Sequence, residues 1–135
     1  MPVELIHTMI RVLDEERSLA FYGALGFEER GRNRVGGDTA TVIFLALPGD
    51  GARLELTLND GRTEPYELGE GYGHIALTAS GGDMDAELAR LAEGGIRPEK
   101  EPYAPYPGGP RICFLRDPDG YRIEILERNP EDELS

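Results

Sequence analysis

Hydrophobic and polar positions alternate with period two from Leu5 to Val12, placing Leu5, His7, Met9 and Arg11 on one face of a strand and Ile6, Thr8, Ile10 and Val12 on the other. The period then lengthens. Asp14 predicts an N-cap, Glu15 and Glu16 suit the positive end of a helix, Leu19, Tyr22 and Leu25 form its apolar stripe, and Gly26 closes it. Arg30 to Asp38 carries glycine and charge with little apolar content, which predicts a mobile loop. Two apolar runs follow, ATVIFLALP and ARLELTLN, joined by Gly49, Asp50 and Gly51 as an antiparallel hairpin. In the second run Arg53, Glu55 and Thr57 face one way and Leu54, Leu56 and Leu58 the other.

The same order of signals then recurs. A polar, turn-rich linker of about 60–71 leads to the apolar run HIALTA. A helix near Asp83 to Glu93 has Met84, Leu88 and Leu91 as its stripe and ends at Gly94 and Gly95. Lys100 to Pro110 is too rich in proline for a helix or a central strand and predicts an extended surface loop. RICFLR, the turn DPDG and YRIEILE make a last hairpin, and residues 129–135 form an acidic tail predicted to be disordered. The reading is one domain over 1–135, written as module one (about 4–59) and module two (about 72–128).

Composition narrows the function. One cysteine, Cys113, leaves no internal disulfide framework, and neither a signal-like leader nor an apolar run of membrane-spanning length is present, so a cytoplasmic protein without a membrane partner is expected. With 26 acidic against 14 basic residues and a net charge of −12, nucleic acid is not an expected partner. An anionic small substrate would need its own local basic residues.

The chain has two histidines, and each opens a strand in the corresponding place of its module. His7 is followed 48 residues later by Glu55, and His74 is followed 50 residues later by Glu124, both on alternating strands. A lone strand histidine is more often structural, and a lone strand glutamate is usually solvated. The joint pattern outweighs those separate readings, because two-fold related modules would gather all four side chains. Histidine and carboxylate together suit a borderline divalent metal such as Zn²⁺, Ni²⁺, Co²⁺, Mn²⁺ or Fe²⁺, with coordination positions left for substrate or water.

From LIHTMIRV to YRIEILE, and most specifically in YELGEGYGHIAL and DPDGYRIEI, the chain resembles the glyoxalase I family of the vicinal oxygen chelate superfamily in its short bacterial form. The resemblance implies an α+β fold: tandem βαβββ modules curled into a cup-shaped mixed sheet with helices on its outer face. It implies one divalent metal per site, Ni²⁺ or Co²⁺ ahead of Zn²⁺, held by His7, Glu55, His74 and Glu124. The implied reaction isomerises the hemithioacetal of methylglyoxal and glutathione to S-lactoylglutathione through an enediolate, with Glu124 as principal base and Glu55 on the opposite face. Arg11 and Asn59 would contact the thiol, with Lys100, or else Arg111, on its glycine carboxylate. The late loop EKEPYAPYPGGPR departs from the family pattern by its extra prolines and tyrosines, which leaves another small thiol in play. A homodimer with sites shared between chains is also implied. The competing expectations are an epimerase or ring-cleaving dioxygenase of the same fold, or a non-enzymatic drug-binding protein; Glu55 and the four-ligand set favour glyoxalase I.

Overall fold

The computed structural model describes residues 1–128, so the predicted acidic tail, 129–135, lies outside the described residues. Two compact units meet in sequence between Glu67 and Leu68, inside the predicted linker.

The first unit runs β1 (Thr8–Arg11), α1 (Glu15–Ala24), β2 (Glu28–Val35), β3 (Ala40–Ala46) and β4 (Ala52–Asn59). Its sheet has the order β1-β4-β3-β2, with β1 parallel to β4 and the other pairs antiparallel. The alternation read from the sequence decides what is buried: Ile10, Val12, Leu54 and Leu56 join Val42, Ile43 and Leu45 in the core. A fully buried side chain of this kind contributes about 1.5–3 kcal/mol relative to leaving it in water. On α1 the buried stripe is Ser18, Phe21 and Tyr22, whereas Leu19 and Leu25 are only half-buried. The helix is thus rotated from the predicted Leu19–Tyr22–Leu25 stripe. The small, fully buried Ser18 takes a core-facing position, and Phe21 and Tyr22 turn inward with their rings edge to face at 5.1 Å.

The predicted loop at Arg30 to Asp38 is a correction, because Glu28–Val35 is strand β2, paired through seven residues with β3. Nearly every residue of β2 is exposed, so no apolar alternation marks it. Its ladder with β3 places it, and exposed charged contacts accompany that ladder. Arg32 bonds Glu29 and Glu15, and Arg34 bonds Asp38, Thr41 and Asp60. The register shift between Glu29 and Gly31 is a bulge, a common device on an edge strand.

The second unit runs β5 (Ile75–Thr78), a short 3₁₀ turn (Ser80–Gly82), α2 (Met84–Glu93), β6 (Ile112–Arg116) and β7 (Arg122–Leu126), with sheet order β5-β7-β6. β5 is parallel to β7 and β6 antiparallel to it, repeating the β1, β4 and β3 arrangement. The place that β2 holds in the first unit falls to the segment before Pro110, which makes only a single bridge, Tyr103 to Ile112. Its prolines cannot donate to a ladder, and that limits it to isolated contacts. The core here is Met84, Leu91, Ile112, Cys113, Leu115, Ile123 and Ile125, with Leu88 of the predicted stripe half-buried and Glu87 buried in its stead.

Both helices start and stop by the same chemistry. Asp14 and Asp83 accept the backbone N–H three residues ahead, from Arg17 and Ala86. At the other end, the N–H of Gly26 reaches the Gly23 carbonyl and that of Phe27 the Tyr22 carbonyl, while Gly95 and Ile96 repeat this onto Ala92 and Leu91. That is a Schellman closure, and it requires the positive φ of Gly26 (108°) and Gly95 (83°).

Candidate metal and substrate site

Strand register brings each histidine to its glutamate. In the first unit Glu55 on β4 lies opposite Met9 of β1 and Phe44 of β3; in the second, Glu124 on β7 lies opposite Ala76 of β5 and Phe114 of β6. His7 and His74 each stand two residues before that parallel partner, hence on the same face as the glutamate. His7 Nε2 is 3.0 Å from Glu55 Oε2, and His74 Nε2 is 3.4 Å from Glu124 Oε1. The glutamate side chains are 14% exposed in both pairs and the histidines 36% and 38%, so each carboxylate is sheltered behind a reachable imidazole.

The DPDG turn sets the second register. Asp117, almost fully buried, accepts the backbone N–H groups of Asp119 and Tyr121 on one carboxylate oxygen, and Gly120, at φ 96°, completes the reversal. The equivalent turn in the first unit uses Asp50, which accepts from Gly51 and Arg53 and is held below its ordinary pKa, first by the Gly51 N–H and then by Arg53.

Arg11 and Asn59 end β1 and β4 and line one open cleft of the first unit together with Met9, Phe44, Glu55 and Thr57. Asn59 Oδ1 accepts from the Tyr66 hydroxyl at 3.0 Å, and the Arg62 guanidinium lies 4.1 Å from the centre of the Tyr66 ring. Lys100 and Arg111 belong to the second unit. Lys100 Nζ stands 4.0 Å over the Tyr103 ring. Arg111 makes a fork onto Glu127 at 2.8 and 2.7 Å and reaches Asp85 at 3.2 Å, holding the Glu127 carboxyl below its usual range. Phe44 and Phe114, which flank the two glutamates, are not singled out by the sequence patterns; their shared place, opposite the glutamate across the hairpin, is the signal that finds them.

The donor atoms fit a divalent ion. Neighbouring nitrogen and oxygen ligands at about 2.1 Å from one metal stand about 3 Å apart, close to the separations in both pairs. Among the described residues neither unit gathers three such donors by itself.

Comparison with known proteins settles the family. Residues 4–125 match the model of the Glyoxalase/Bleomycin resistance protein/Dioxygenase superfamily. The chain belongs to this superfamily. Within it, the chain is 38% identical over 131 residues to the lactoylglutathione lyase of Salmonella typhimurium, covering 93% of each. Among solved members of the superfamily, the trypanothione-dependent glyoxalase I of Leishmania major superposes with a TM-score of 0.76 at 35% identity, covering 93% of this chain and 86% of that one. Glyoxalase I from Zea mays gives a TM-score of 0.80 at 28% identity over 92% of this chain, which spans 44% of the maize chain. The α+β pattern of two mixed sheets with one long helix apiece is therefore that of the glyoxalase fold. No helix among the described residues is long and apolar enough to cross a membrane.

Proposed function

We propose that this protein is a lactoylglutathione lyase that isomerises the hemithioacetal of methylglyoxal and a small thiol, glutathione first, to the S-lactoyl thioester. The observation that carries the reading is the 38% identity to a curated enzyme of that name along 93% of both chains. The repeated histidine–glutamate pairs supply donors suited to the chemistry.

The reaction shifts the C1 proton to C2 and the hydroxyl proton from O1 to O2, with no net change of oxidation state. Glu124 takes the proton from C1, the electron pair of the C–H bond passes into an enediolate, and a carboxylate returns the proton to C2. Glu55 serves the opposite face, so either hand of the non-enzymatic hemithioacetal meets a base. His7, Glu55, His74 and Glu124 would hold one divalent ion, Ni²⁺ or Co²⁺ ahead of Zn²⁺, whose chemistry is to stabilise negative charge developing on the two vicinal oxygens. Sheltered carboxylates are well placed for this work, since charge interactions strengthen as water is excluded.

Arg11 and Asn59 would bind the polar groups of the thiol in the cleft that holds Glu55. Lys100 is the favoured partner for the glycine carboxylate, because Glu127 and Asp85 already engage Arg111. In a protein of net charge −12, these local donors must overcome the general field that repels an anion. Each site would take His7 and Glu55 from one chain and His74 and Glu124 from its partner in a cytoplasmic homodimer.

Chelated protein should lose activity towards methylglyoxal with glutathione and recover it on reloading, with Ni²⁺ and Co²⁺ ahead of Zn²⁺. Equal turnover without metal, or no lactoyl thioester with glutathione or trypanothione, would overturn the reading.

A further inference from the structure

The two histidine–glutamate pairs match in register but differ in what stands behind them. Behind His74 the Phe114 ring meets the imidazole edge to face, with centroids 5.1 Å apart and planes at 71°. The other face of the contact continues outward. The Arg122 guanidinium lies 3.9 Å from the centre of the Phe114 ring, and Glu99 takes Arg122 in a fork of 3.2 and 3.0 Å. Glu99 is anchored in turn, because its backbone N–H donates to the Phe114 carbonyl at 2.8 Å and its carboxylate also meets Arg116 at 2.8 Å. Arg122 holds Glu99 below the ordinary carboxylate range, so the anchor stays charged at neutral pH.

The first unit builds no such series among its described residues. Arg53 stands two residues before Glu55, as Arg122 stands two before Glu124, but it turns to the Asp50 carboxylate and the Leu5 carbonyl. Among the described residues Phe44, the ring opposite Glu55, stacks on neither His7 nor a cation, whereas Phe114 does both with His74 and Arg122. The difference lies in the segment before β6. In the first unit β2 occupies the sheet edge as a continuous, bulged strand, whereas in the second the prolines break that strand, and Glu99 docks on β6 at the edge.

We propose that Glu99, Arg122 and Phe114 form a positioning brace that sets the orientation of the His74 imidazole towards Glu124. An aromatic edge-to-face contact fixes a ring plane, a cation over the aromatic face fixes that second ring, and a fork onto a backbone-anchored carboxylate fixes the cation. None of the three need touch substrate. The proposal rests on the reading of His74 as a site residue and assigns to these three the supporting role that outer partners commonly play for a ligating histidine.

Because the chain has two histidines, a histidine-labelled sample has one reporter in each unit. In the metal-free protein, Glu99→Gln and Arg122→Met should each move the ring resonances of His74 further than those of His7, which meets His74 only at the proposed shared site. Phe114→Leu should remove the ring-current displacement of His74, and Phe114→Tyr should restore it, which separates the lost ring from a general loss of packing. By chelator competition, Ni²⁺ affinity should fall about tenfold in Glu99→Gln, at the low end of the range for outer partners of a ligating histidine. His74 resonances unchanged in both Glu99→Gln and Arg122→Met would overturn the brace. Displacement of His7 as large as that of His74 would overturn it as well, since the effect would then not be centred on His74. A wild-type protein that binds no Ni²⁺ would instead refute the metal reading, while the metal-free spectra would still decide whether the brace orients His74.

Discussion

At the scale of single residues, the two glutamates carry the heaviest demand. Each is 14% exposed and stands 3.0 or 3.4 Å from the imidazole beside it, so replacing a carboxylate oxygen by an amide nitrogen keeps shape and volume while removing the proposed base. Glu124→Gln should therefore fold and melt like the parent protein and lose about 10²–10⁴-fold in turnover, the usual share of a positioned general base. A steady-state assay beside a thermal melt checks this, and turnover within a few-fold of the parent would remove Glu124 from the proton transfer. The choice of pair was legible in the sequence, because two histidines at matching module positions are conspicuous. The partners of Arg111 were not, since Glu127 and Asp85 lie 16 and 26 residues away along the chain.

At the scale of elements, the two helix closures make a sharp test. Gly26 and Gly95 sit at φ 108° and 83° with room for a Cβ, so the cost of alanine there is conformational: about 1–2 kcal/mol for holding an L-residue in the left-handed region. Gly23, only three residues before Gly26, is exposed, lies inside α1 and would place an added methyl group with nothing within 4 Å. Alanine at Gly23 should stabilise by about 0.5–1 kcal/mol, because it removes unfolded-chain freedom and suits a helix. Urea denaturation of the three variants should give two losses and one gain; a gain at Gly26 or Gly95 would contradict the closure. Both helices and their caps could be read from local sequence. Strand β2 could not, because its residues are nearly all exposed without apolar alternation and its place is set by pairing with β3.

At the scale of the whole molecule, charge and assembly give two further expectations. Arginine partners lower the carboxyl pKa values of Glu29, Asp60, Glu99 and Glu127. A carboxylate whose folded pKa lies below its unfolded one contributes stability that is complete above the unfolded value and is lost as pH falls through the folded one. Urea midpoints should thus hold from neutral pH down to about pH 4.5, the ordinary glutamate range, and decline below it. A decline already complete by about pH 5.5 would trace to other groups. For assembly, His7→Ala and His74→Ala should each be inactive alone. In the proposed homodimer with shared sites, refolding the two together with random pairing would leave about half the dimers mixed and one site of each mixed dimer with both histidines, so roughly a quarter of all sites should recover. No recovery with mixed dimers present would place both pairs of a site in one chain.

The amino-acid sequence by itself determined the duplication, the helix caps, the hairpin turns and the face on which His7, Glu55, His74 and Glu124 lie. All of these depend on period-two or period-3.6 order and on turn chemistry within a few residues, which a chain expresses locally. Tertiary structure alone decided that Glu55 meets Phe44, that Glu124 meets Phe114, and that Nε2 of each histidine closes on its carboxylate. It also decided the rotation of α1 towards Ser18 and Phe21, the edge strand β2, and the docking of Glu99 beside β6 in the place of a strand. The physical reason is common to these cases: pairing register and ion-pair choice depend on segments brought together from tens of residues apart, and no local periodicity encodes which of several charged neighbours an arginine will meet.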